Sequence, residues 1–318
     1  MHRFIMVMPV LLVSWFIAGC GKSDFTIRKD PQKPVVVATT THLADLIRQI
    51  GGEHLTVIQM MKAGVDPHSY RATAQDITHL QTADLIVYHG LSLEGKMARV
   101  FKDTTLSRRP PFSPCANLAN DQLLSGEDKD QVTDPHIWFS PDLWIQCGQS
   151  LTTELSGLLP EKSTEFNANF LKFRKSVEKM DRWGKSVIQS IPPASRILIT
   201  SHDAFRYFGD HFGIRVIALQ GINTLTEAGL ADRTNLVEFI DQHNSPALFI
   251  ESSVNPKALK EIARETGSII GGTLFSDALG SEDQSALGPN EEVLSTATWQ
   301  GMMAHNLRTI QKALHQVP

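Results

Sequence analysis

One pattern limits this chain more than any other: short β-branched runs alternate with segments of helical spacing, and the joints between them are brief. VVVATT, after Pro34, is an unbroken apolar strand. THLADLIRQIGG follows, with Leu43, Leu46, Ile47 and Ile50 on one helical face and Gly51-Gly52 as its stop. LTVIQMM, TAQDITHLQTAD and LIVYHG continue as strand, helix and strand, with Thr73 placed to cap the second helix. Strands that show no alternation are buried on both faces, and parallel neighbours need a crossover between them. The repeat therefore predicts a parallel sheet covered by helices. The pattern restarts with RILITS, HDAFRYFGDHFG, RVIALQG, TNLVEFIDQHN, ALFIESS, NPKALKEIARETG and SIIGGTLFSD. Asn255 is the expected cap of the NPKALKEIARETG helix, with Pro256 in its first turn. EEVLSTATWQGMMAHNLRTIQKALHQV is expected to be one terminal helix.

Between the halves lies EKSTEFNANFLKFRKSVEKMDRWGKSVIQSIPP. Phe166, Phe170, Phe173, Val177, Met180, Trp183 and Val187 recur every three or four positions, which makes one long helix with an apolar stripe and a charged back. Pro160 precedes it and Pro192-Pro193 ends it. The expected fold class is α/β, with two similar lobes, each a parallel sheet flanked by helices, joined by one long linking helix. The boundaries read as an N-terminal lobe at 34–160, a linking helix at 161–191 and a C-terminal lobe at 192–318.

The chain opens MHRFIMVMPVLLVSWFIAGC: Arg3, an apolar run, then small residues before Cys20. That is the anatomy of a signal peptide over residues 1–19. The run is short for a membrane span, which needs ~20 residues. Small residues ahead of a cysteine resemble the lipobox of bacterial lipoproteins. The resemblance implies cleavage before Cys20, lipid on its thiol, a polar tether over 20–33, and a place on the periplasmic or extracellular face of a bacterial membrane. The net charge of −4, with no stripe of Lys or Arg, gives no sign of nucleic-acid binding, and no nucleic-acid partner is expected. Two further cysteines, Cys115 and Cys147, would meet oxidising conditions after export, so a disulfide between them is an open option.

Asp-Pro-His occurs twice, in GVDPHSY and TDPHIWF, each time beside an aromatic. In open α/β sheets, ligands bind beyond the carboxyl ends of the strands. His68 follows strand LTVIQMM, His136 sits in a loop, His202 follows RILITS, and Asp277 follows TLF. Neutral imidazoles and a carboxylate suit divalent zinc, manganese or iron. Pro67 and Pro135 stiffen the backbone before each histidine. Asp66 and Asp134 are placed to accept the second ring N–H, and Glu251 in FIESS is a further supporting carboxylate. Each residue alone also has a plain reading as a turn or cap residue, and the separations match no local metal motif. His42 and His89, also near strand ends, are held in reserve.

GVDPHSYRATAQDITHLQTADLIVYHGLSLEG, DPHIWFSP, TSHDAFRYFGDHFG, ALQGINTLTEAG and GGTLFSDALG, in that order, resemble the motifs of the metal-binding lipoproteins of bacterial zinc/manganese/iron ABC importers. The resemblance spans roughly residues 34–315. It implies a metal held between two lobes by His68, His136, His202 and Asp277, and delivery to an ABC permease by a solute-binding protein that is not an enzyme. A monomer, lipid-anchored to the membrane, is expected. Three features depart from the family. Residues 112–133 lack the His-rich loop of many zinc-specific relatives, and His202 stands where manganese-selective relatives often place Glu. Leu225 also replaces a residue that is often polar. Two other readings remain open, a metal-dependent hydrolase and a surface adhesin stabilised by metal.

Overall fold

The structure is a computed structural model that describes residues 33–102, 109–125, 133–243 and 247–315. The signal peptide, Cys20 and all of the tether but Lys33 lie outside the described residues. The first lobe runs β1 (Val35–Ala38), α1 (Thr41–Gly51), β2 (Thr56–Gln59), α2 (Ala74–Thr82), β3 (Leu85–Val87), α3 (Ala98–Lys102) and α4 (Pro141–Leu158). Its strands form a parallel sheet in the order β2-β1-β3, with Val36 beside both Val57 and Leu85. The central β1 is fully buried, which is why it reads as four apolar residues without alternation. Thr73 caps α2 through a reciprocal pair of bonds with Asp76.

α5 (Ser163–Ser190) is a single helix of 28 residues, about 42 Å long. The second lobe follows with β4 (Ile197–His202), α6 (Arg206–Phe212), β5 (Arg215–Gln220), α7 (Leu230–His243), β6 (Ala247–Glu251), α8 (Lys257–Thr266) and β7 (Ile269–Leu274). These strands form a second parallel sheet, in the order β5-β4-β6-β7. A hairpin of β8 (Ser285–Leu287) and β9 (Val293–Ser295) precedes α9 (Trp299–His315).

α5 packs on α1 and α4 of the first lobe and on α9 of the second. One apolar cluster runs from Val36 and Leu46 through Phe166, Phe173 and Ile188 of α5 to Leu307 and Ile310 of α9. A core shared in this way makes the helix a brace, because a wide opening of the lobes would expose part of it to water.

Three elements differ from the sequence expectation. The terminal helix starts at Trp299, not at Glu291, because Ala286 pairs with Leu294 in the hairpin ahead of it. The helix after RILITS starts at Arg206, because β4 itself continues through Ser201 and His202. α4 is a helix beyond the strand-and-helix pattern read from the sequence: Ser140 accepts from the Leu143 N–H, Pro141 opens the first turn, and Leu143, Trp144, Cys147, Leu151 and Leu155 line one buried face. α8 keeps its expected place but moves its cap by one residue: Pro256 stands in the cap position, not in the first turn, and Asn255 Oδ1 just ahead of it accepts the Lys257 N–H at 3.0 Å.

Candidate metal centre

The two sheets point their carboxyl ends toward a shared gap. His202 is the last residue of β4, and Asp277 lies just past β7. His68 comes from the loop between β2 and α2, and His136 from the loop ahead of α4. One ligand atom from each of the four lies within 4.8 Å of every other. Asp277 Oδ1 is 3.2 Å from His136 Nε2 and 3.9 Å from His68 Nε2, and Asp277 Oδ2 is 3.3 Å from His202 Nε2. The Nε2 atoms of His68 and His136 are 3.4 Å apart. A tetrahedral ion with arms of ~2.05 Å requires edges of ~3.3 Å between its ligands. Three of the four measured distances meet that spacing, and the fourth, from His68 Nε2 to Asp277 Oδ1, is longer at 3.9 Å. His202 Nε2 and Asp277 Oδ1 are buried and meet only other members of the cluster, which suits a cation as their shared partner.

Carboxylates behind the rings fix their direction. Asp134 Oδ1 takes the His136 Nδ1 at 2.7 Å and accepts the His136 backbone N–H at 2.9 Å. Glu251 Oε1 accepts the His202 backbone N–H at 2.9 Å, and Glu251 Oε2 forms an ion pair with His202 Nδ1 at 2.6 Å. With Nδ1 occupied in both rings, Nε2 is turned into the gap. Ser253 Oγ donates to Asp277 Oδ2 at 3.1 Å.

These contacts divide the site electrostatically. Burial opposes a charge on His136, but Asp134 and Asp277 outweigh it and push the ring up to about 9. Burial likewise opposes a charge on His202, and Glu251 and Asp277 overcome it, holding the ring well above the usual imidazole range. His68 has no such backing. Burial lowers it to about 4, Asp277 working against that and His136 and His202 adding to it. Burial alone would raise Asp277, but His202, His136 and His68 hold it well below the usual carboxylate range.

Residues 36–313 match the sequence family described as zinc-uptake complex component A, periplasmic. The chain belongs to this family. Among its relatives, the manganese-binding lipoprotein MntA of Bacillus subtilis is 36% identical over 310 residues, covering 96% of this chain and 97% of MntA. The zinc-binding protein TroA of Treponema pallidum is 38% identical over 287 residues, covering 89% of each chain. The solved structure of the periplasmic zinc-binding protein TroA superimposes with a TM-score of 0.80 at 36% identity, covering 89% of this chain and 99% of that one.

In this family member the structure corrects some sequence expectations and adds residues that were missed. Asp66 does not receive the His68 ring: Asp66 Oδ1 accepts the His68 backbone N–H at 2.8 Å, and Asp66 Oδ2 accepts from Thr224 Oγ1 at 2.6 Å. The reserve residues His42 and His89 stand outside the cluster. Both are buried against Trp138, and His89 Nε2 donates to the Pro135 carbonyl at 2.8 Å. Trp138 was missed, although an aromatic beside Asp-Pro-His was visible. It packs edge-on to His136, donates from Nε1 to the Ser276 carbonyl, and accepts at its own carbonyl from Trp299 Nε1. Trp138 thus ties the His136 loop to the second lobe from behind. Cys115 and Cys147 are free, buried thiols with their sulfurs 3.1 Å apart.

Proposed function

We propose that this protein is the extracytoplasmic metal-binding component of an ABC importer, which captures manganese or zinc through His68, His136, His202 and Asp277 and hands it to a membrane permease. The observation that carries the reading is the cluster itself, three imidazoles and one carboxylate converging in a buried gap at metal-ligand spacing. Each ligand comes from a different loop or strand end, so the site exists only in the folded chain. Four protein ligands close the shell of a tetrahedral ion, whereas a catalytic ion keeps a position for water or substrate. With the four side chains at most 3% exposed, there is no room beside the ion for an organic substrate, which argues against a hydrolase. By intrinsic affinity, three nitrogens and one carboxylate favour zinc over manganese. Lipidation of Cys20 would place the protein at the membrane, within reach of the permease, and a monomer suffices because one chain supplies all four ligands.

Calorimetric titration of the chain lacking residues 1–19 with zinc, manganese and iron(II) tests the reading. One ion per chain is expected, and His68→Ala and Asp277→Ala should each weaken binding at least about tenfold. Bound metal should also raise the melting temperature. Unchanged affinity in both variants would remove the assignment. A Cys20→Ala variant that stays with the membrane fraction would remove the anchor.

A further inference from the structure

The two Asp-Pro-His copies begin alike and end differently. In each, the aspartate accepts the backbone N–H of the histidine, at 2.8 Å in the first and 2.9 Å in the second. Asp134 then turns to its own histidine ring and orients it. Asp66 instead sends its second oxygen across the gap, where Thr224 Oγ1 donates to it at 2.6 Å. Thr224 stands on the loop between β5 and α7, in the opposite lobe. One copy of the tripeptide holds an imidazole from behind, and the other ties a ligand-bearing loop to the facing lobe.

The loop that Thr224 holds is the least braced part of the site. Residues 60–73, from β2 to α2, contain no strand or α-helix. Gly64 within it has φ +74°, a conformation that glycine adopts freely, and the position of its absent Cβ lies 3.5 Å from the Ser252 carbonyl of the second lobe. His68 keeps 3% exposure, whereas His136 and His202 have none. His136 is backed by Asp134 and Trp138, and His202 by Glu251 at the end of β6. His68 is held through its backbone by Asp66, and Asp66 by Thr224.

We propose that the Asp66–Thr224 hydrogen bond is a latch that sets the rate of metal release, with His68 the first ligand to leave and Thr224 its positioning residue. The inference rests on the function proposed above. A hydroxyl bonded to an ionised carboxylate holds more strongly than a neutral pair. When it breaks, Asp66 is freed and the His68 N–H loses its fixed acceptor. The ion then keeps His136, His202 and Asp277 while one coordination position opens toward solvent. Thr224 is half-buried between exposed Asn223 and Leu225, so a macromolecule seated on that loop can reach the latch without touching the ligands.

The test compares wild type with Thr224→Val, which keeps the shape and removes the donor, and Thr224→Ser, which restores it. Each protein is loaded with zinc, mixed with excess chelator and followed by stopped flow. Thr224→Val should release zinc roughly tenfold faster than wild type, and Thr224→Ser should fall within about twofold of wild type. Metal-free Thr224→Val should melt a few degrees below wild type while remaining folded, and metal-free Thr224→Ser should melt with wild type. Equal release rates for wild type and Thr224→Val, with both binding one zinc, would overturn the latch and leave the proposed function standing. Fast release by Thr224→Ser as well would also overturn it. A wild-type chain that takes up neither zinc nor manganese would overturn both.

Discussion

Metal uptake by this site should expel close to two protons at pH 7. Before the ion arrives, His136, pushed up to about 9, and His202, held well above the usual range, both carry a proton on Nε2 facing Asp277. His68, lowered to about 4, does not. The ion must replace both Nε2 protons, while Asp134 and Glu251 keep the Nδ1 protons. One proton is worth ~1.4 kcal/mol per pH unit, so two make the apparent affinity rise ~100-fold per unit. From pH 6 to pH 8 the gain is ~5 kcal/mol, flattening as the pH nears 9 and His136 titrates. Three imidazoles at the ordinary value of ~6.5 would each be about a quarter protonated at pH 7, and would release only ~0.7 proton in total. The sequence alone suggests that weaker dependence. Zinc titrations at pH 7 in buffers of different ionisation enthalpy count the protons directly. A count below one would refute the electrostatic reasoning, whatever the affinity.

Glu251→Gln keeps the shape behind His202 but removes the charge that orients the ring, and should weaken zinc binding by about 10–100-fold in calorimetry. Asp134→Asn should do the same through His136. Metal-free protein should be less stable toward both ends of the pH range in denaturant melts. His42 and His89 are lowered to about 3, chiefly by burial, so their contribution is present above ~6.5 and is lost as the pH falls toward 3, at about 2 kcal/mol each by pH 5. His136 is raised, so its contribution is present below ~6.5 and is lost as the pH climbs through about 9. Cys115 and Cys147 touch inside the fold, and exchange with a donor disulfide of the oxidising compartment, which leaves as its dithiol, should join them, stabilising the chain by ~3–5 kcal/mol. Alkylation of denatured, unreduced protein should then find neither thiol free.

Much of the architecture could be read along the chain. Val35 to Ala38 had to be a buried strand because all four residues are apolar, and α5 had to be a long helix because its apolar residues from Phe166 to Val187 keep one face over about six turns. The hairpin ahead of α9 was not legible, since its strands are three residues each and partly exposed, too short to show a period. The ligands themselves were legible because strand ends in an α/β sheet are where ligands gather. What Asp66 does was not: the same tripeptide predicts the same role twice, and only Thr224, 158 residues away in sequence, makes the two copies differ.

By itself the sequence determined which residues are chemically able to hold a metal and which segments become strands and helices, because both depend on residue type and short-range spacing. Tertiary structure alone decided that the four side chains meet, which rings arrive protonated and which loop the facing lobe ties down. Those properties depend on distances of a few ångströms between atoms far apart in the chain, and on the loss of water around them. Neither is set until the two sheets pack against α5.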